Sequence, residues 1–173
     1  MDIGLLLLRL VLALILFTHA SQKLGGWFGG NGLARQGEIF ASLGLHPGRA
    51  MVLAAGVSEL LAATALLLGL LTPVGALLAA GTMVVAGVTM QLNSGKFWNI
   101  AGGGEYPYVL AAAAAVLGFT GAGAYSLDAQ VSGEAWSTVV HEPATWVGAL
   151  ILLAALVAAV PFALVVRRAA AAR

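Results

Sequence analysis

Apolar runs long enough to cross a bilayer, separated by short polar connections, constrain this chain more than any other feature. A spanning helix needs ~20 mostly apolar residues. The runs are Ile3–Leu24, Ala50–Leu71, Val74–Leu92, a shorter one from Glu105 to Thr120, and Ala144–Val166. In hydrocarbon a backbone must satisfy its own polar groups, so each run predicts a helix. The expected fold is therefore all-α, an integral membrane helical bundle. Composition agrees: 61% of the 173 residues are hydrophobic and 9% are charged, where soluble domains carry roughly a quarter charged. Thr72-Pro73 closes the second run and opens the third, because proline stops one helix and suits the first turn of the next. Small residues at four-residue spacing, Gly75/Ala79, Ala76/Ala80 and Ala111/Ala115, predict close helix packing.

The totals also exclude function classes. A net charge of +1 offers no basic surface for nucleic acid. The absence of cysteine removes disulfides, thiol redox chemistry, thiolate-bound clusters and Cys-ligated zinc. The first run lacks a basic leader, begins at Asp2 and holds Arg9 within it, so it is read as a retained helix rather than a signal peptide.

Between the first two runs, residues 25–49 differ in kind. Gly25, Gly26, Gly29, Gly30 and Gly32 surround Trp27 and Phe28, predicting a tight interfacial or re-entrant turn. Leu33, Ile39, Phe40 and Leu43 then share one helical face, which predicts a short helix at the membrane surface or capping the bundle. Lys23, Arg35, Arg49, Lys96, Arg167, Arg168 and Arg173 fall on one side of a five-span chain. The 121–143 connection, with Asp128, Glu134 and Glu142, falls on the other. The positive-inside rule then predicts a multi-pass plasma-membrane protein with its amino terminus outside and its carboxy terminus in the cytoplasm.

Polar side chains inside the runs are the candidate site. Arg9, His19 and Lys23 lie within an arc of roughly 80° on the first helix. Counted at helical rise from the cytoplasmic ends, His19 lies ~6 Å in, Glu59 ~13 Å and Arg9 ~21 Å, so Arg9 and Glu59 are expected to pair across ~8 Å. Glu105, Gln91 and Asn93 enter from the same end and would close a pocket with His19 and Tyr106. A bland account stands beside each of these. Arg9–Glu59 fits a structural ion pair as well as a functional one. Glu105 beside Lys96 fits an interfacial pair, and Lys23 fits a lysine snorkelling to headgroups. His46 and His141 sit on opposite sides and cannot share one haem, and nothing in the spacing demands a His19–His46 pair.

Several segments in order carry a resemblance. Leu8-Arg9-Leu10, His19, Lys23-Leu24, Ala41-Ser42-Leu43-Gly44-Leu45, Ser58-Glu59-Leu60 and Gly69-Leu70-Leu71-Thr72 are followed by Gly103-Gly104-Glu105-Tyr106-Pro107 and Tyr125-Ser126-Leu127-Asp128. Together they resemble the DoxX family of small membrane proteins over Leu5 to Asp128. The resemblance implies a four-helix DoxX-like core over 1–128. It leaves 129–143 as an extracytoplasmic loop and 144–173 as an additional, fifth transmembrane helix with a basic tail. Gln91 stands where family members often carry a histidine, which argues against a role built on a histidine pair. The family is associated with membrane redox and oxidative-stress systems, one relative being a subunit of thiosulfate:quinone oxidoreductase. The wider group resembles eukaryotic membrane chaperones and cargo receptors.

The leading expectation is thus a membrane subunit of a quinone-linked redox or oxidative-stress system, with whether it turns over substrate itself left open. His19 with Glu59 or Glu105 would relay protons, Arg9 or Lys23 would polarise a carbonyl, and Trp27, Phe28 and Tyr106 would pack around the ring beside Gln91. Quinone is the expected cofactor, no covalently bound cofactor and no metal are expected, and electrons would come from a partner protein. The alternative is a non-catalytic adaptor or chaperone that docks stress enzymes or membrane proteins through residues 25–43. A carrier for a small acidic solute is the second alternative. The bilayer is a partner in every case, and a homo-oligomer is compatible with all of them.

Overall fold

The computed structural model describes residues 1–172; Arg173, counted above with the basic tail, lies outside them. Every apolar run is a helix. These are α1 (Asp2–Leu24), α3 (Gly48–Leu68), α4 (Thr72–Ser94), α5 (Glu105–Thr120) and α7 (Thr145–Ala171). The amphipathic segment forms α2 (Gly32–Ser42), and a short turn, α6 (Glu134–Trp136), continues into a π-helical turn over Ser137–His141. Four helices, α1, α3, α4 and α7, are long and apolar enough to cross a membrane. At 16 residues, α5 rises only ~24 Å, yet it runs between the same two ends of the bundle.

Neighbouring helices order the bundle: α1 lies antiparallel on α3, α3 on α4 and α4 on α5, while α7 packs on α4 running in the same direction. Close approach of α4 and α5 depends on Gly87, where a Cβ would strike the Tyr108 ring. α7 packs most extensively on α4 and also meets α5. It passes through Pro161, which is at the exposed side of the bundle, and continues helical beyond Arg167 and Arg168. The outer faces stay apolar, with Leu7, Val11 and Leu14 of α1, Leu53 and Leu61 of α3, and Leu153 and Leu156 of α7 exposed. That surface is what lipid contacts.

The two ends differ. At one end the helix termini meet the 121–143 connection, which carries Asp128, Glu134 and Glu142; at the other lie Lys23, Arg35, Arg49, Lys96, Arg167 and Arg168. Arg9 belongs to the acidic end. The residue is 1% exposed, and its guanidinium donates to the carbonyls of Leu66 (2.9 Å), Leu67 (3.4 Å), Ala122 (2.7 Å) and Tyr125 (2.9 Å). The carbonyls at a helix C-terminus have no partner within their own helix, and Arg9 supplies one for the last turn of α3. Gly69 ends that helix in the left-handed conformation, φ 59°, and a Cβ there would collide with the guanidinium. Asp128 completes the end, its two oxygens accepting the Leu71 and Thr72 N–H groups at 2.8 and 2.9 Å as α4 begins. Asp128 also lies close enough to balance the Arg9 charge.

Candidate functional site

The predicted Arg9–Glu59 pair does not form. Glu59 is 2% exposed and binds Lys23, whose Nζ donates to both carboxylate oxygens at 2.8 Å. The reason lies in side-chain direction. Helical side chains lean toward their own N-terminus, so on antiparallel α1 and α3 Lys23 and Glu59 lean toward each other. Arg9, further back on α1, leans away from Glu59 toward the acidic end. Lys23, at 19% exposure, is consequently an interior partner rather than a headgroup-seeking lysine. Among the described residues this is the one ion pair.

A cavity of about 920 Å³ opens beside the pair. His19 and Lys23 of α1, Gln36 and Phe40 of α2, Ser58 and Glu59 of α3, Thr89 and Asn93 of α4, and Tyr106 of α5 form its polar end. The His19 and Tyr106 rings are 6.3 Å apart between centroids. Apolar side chains line the rest, among them Met51, Leu77, Leu78, Met83 and Phe162. Rather than lying apart on the membrane surface, α2 forms part of the cavity wall through Gln36, Ile39, Phe40 and Leu43. It can sit so close to α3 because Gly37 and Gly48 bring the two backbones together. A second pocket, of about 280 Å³ and mostly polar, lies between α1 and the glycine-rich turn. His19, Lys23 and Gln36 border both spaces, and Gln22, Gly29, Gly30 and Asn31 complete the smaller one.

Of the predicted site residues, His19, Lys23, Glu59 and Tyr106 are brought together, with Asn93 beside them. Arg9 is at the opposite end. Glu105, first residue of α5, also leans toward its N-terminus, and its Oε2 accepts the Asn99 N–H at 3.0 Å in the preceding connection. It neither borders the cavity nor pairs with Lys96. Gln91 lies on the other face of α4, two residues from Thr89 and so ~200° around the helix. Trp27 and Phe28 are exposed on the glycine-rich turn and border neither pocket. His46 and His141 stand near opposite ends, and among the described residues no three His, Asp or Glu side chains group as a metal site. Sequence reasoning passed over Ser58, Thr89 and Gln36. For Thr89 the signal was spacing, since Thr82, Ala86, Thr89 and Asn93 recur along one face of α4.

Chemically, the polar end offers a buried carboxylate held by an ammonium, an imidazole, a phenol and neutral hydroxyl and amide groups. All of them sit against an apolar space of the size that takes a drug-sized ligand. Such a set can bind a polar head, exchange protons with it and keep an apolar body out of water.

The DoxX family model matches residues 4–92. A protein of Bacillus subtilis (strain 168) named "Putative oxidoreductase CatD" is 32% identical over 127 residues, covering 73% of this chain and 86% of the relative. No solved structure matches the chain at a significant level.

Proposed function

Because the chain belongs to the DoxX family, we propose that it is the membrane subunit of a quinone-linked redox system and binds a quinone head at the polar end of its cavity. The observation that carries this reading is the cavity itself, apolar over most of its wall with His19, Tyr106 and the Lys23–Glu59 pair gathered at one end. Quinone carbonyls require N–H or O–H donors, and reduction to quinol takes up two protons with two electrons. His19 and Lys23 supply N–H donors, and an imidazole can both give and take a proton. Since His19 and Lys23 also border the small polar pocket, protons reach the head from that side. The electrons come from a protein partner, in keeping with the oxidoreductase name of the B. subtilis relative.

The test is a quinone inventory of the protein purified from its native membranes in mild detergent. Stoichiometric quinone in the wild type, lost in His19→Ala with the fold retained, is the expected result. A well-folded wild type free of quinone would refute the reading. A second reading, an adaptor that recruits soluble enzymes, is favoured by the exposed Arg35, Glu38 and Ile39 on α2. It predicts that partner capture survives loss of the polar cluster and fails when Arg35–Leu43 is scrambled.

A further inference from the structure

Most threonines within the long helices satisfy their hydroxyls locally. Thr18 donates to Leu14 O (2.9 Å), Thr64 to Leu60 O (2.9 Å), Thr120 to Val116 O (3.0 Å), and Thr82 to Leu78 O. Thr72 and Thr89 of α4 depart from this habit, and of the two only Thr89 borders the main cavity. Thr89 is 8% exposed and its hydroxyl has no hydrogen-bond partner. A buried hydroxyl left unpaired is costly, and one that faces a cavity is satisfied when an acceptor occupies that cavity.

The space beside Thr89 does not end at the polar cluster. From Thr89 it continues along α4 to Leu77, roughly 18 Å at helical rise, with α3 on one side and α7 on the other. Those two helices both pack on α4 and scarcely touch each other. Ala54 of α3 and Ala158 of α7, on the rims, are exposed at the side of the bundle where the spanning helices meet lipid. On the floor, a Cβ added at Gly81 would meet nothing within 4 Å. The groove is therefore open from the polar end to the membrane interior.

We propose that the cavity takes a single-chain amphiphile from the bilayer, its carbonyl head accepting a hydrogen bond from Thr89 and its apolar chain lying along α4 between α3 and α7. This rests on the quinone reading of the same cavity and adds the head contact, the course of the chain and a lateral entry. A partner's transmembrane helix, about 10 Å across, would cover the groove without reaching Thr89.

The test uses the whole protein in phosphatidylcholine vesicles and a benzoquinone bearing a decyl chain that ends in a diazirine. Photolabelling is expected at the far end of the groove, on α4 between Leu77 and Gly81 and on α7 near Ala154, and chainless benzoquinone should compete it away. Thr89→Val should weaken probe binding about fivefold, the loss of one hydrogen bond. Gly81→Leu should abolish the groove labelling; leucine favours a helix over glycine, so this variant is expected to fold. Ala158→Leu blocks the groove from the opposite wall and serves should Gly81→Leu not fold. Competed labelling that maps to other helices, or survives both blocking variants, would overturn the groove and leave the quinone head in place. Undiminished binding to Thr89→Val would overturn the head contact. Labelling that chainless quinone does not compete would refute the quinone reading itself, and this inference with it.

Discussion

Arg9 and Lys23 sit on one helix and face opposite tasks. Arg9 closes the acidic end by satisfying backbone carbonyls, which a planar five-donor guanidinium does well and a lysine ammonium does poorly. Arg9→Met is expected to cost about 3 kcal/mol or more, since it leaves several buried carbonyls unpaired, and Arg9→Lys should recover only part of that. Thermal unfolding in detergent would show it, while quinone content per folded protein should stay unchanged. Lys23 instead neutralises Glu59. Glu59→Gln leaves a largely buried ammonium without its counter-charge, with an expected loss of about 3 kcal/mol. Polar residues at these positions were legible in the sequence, because charge inside an apolar run is conspicuous. Their partners were not. Axial depth counted from helix ends ignores the lean of each side chain, and it is that lean which gives Glu59 to Lys23 and turns Glu105 away from the cavity. The carbonyls that receive Arg9 are backbone groups, which carry no residue-type signal.

At the scale of elements, apolar periodicity and length placed every long helix within a few residues, because hydrocarbon leaves a backbone so few alternatives. The amphipathic stretch of α2 was legible too, though not its role. An apolar face that suits a membrane surface suits a cavity wall equally well, and only packing distinguishes them. The connection over 121–143 was read as a loop, yet Asp128 within it anchors the start of α4. Asp128→Ala should cost about 3 kcal/mol, since it leaves two backbone N–H groups unpaired and the buried Arg9 guanidinium without its nearby counter-charge. Asp128→Asn should retain part of that, since an amide keeps one acceptor oxygen. The melting temperatures of the two variants, compared with wild type, measure the difference.

For the whole molecule, the separation of acidic and basic ends predicts orientation. With the basic end in the cytoplasm, a cysteine at Ser132 in the acidic-end connection should react with a membrane-impermeant maleimide in intact cells. One at the fully exposed Ile100, at the basic end, should react only after permeabilisation. The native chain has no cysteine to obscure the result, and the reverse pattern would invert the topology. Orientation matters to the account because the small polar pocket lies at the basic end and would draw its protons from the cytoplasm.

The central claim is that Lys23–Glu59 holds a ligand and is not merely a brace between α1 and α3. The double variant Lys23→Met/Glu59→Gln tests it most directly, because it removes both charges and leaves no ion buried alone. The account predicts that this protein recovers most of the stability lost in Glu59→Gln but is purified without quinone. A double variant that is stable and still carries quinone at the wild-type level would contradict the claim and leave the pair as architecture alone.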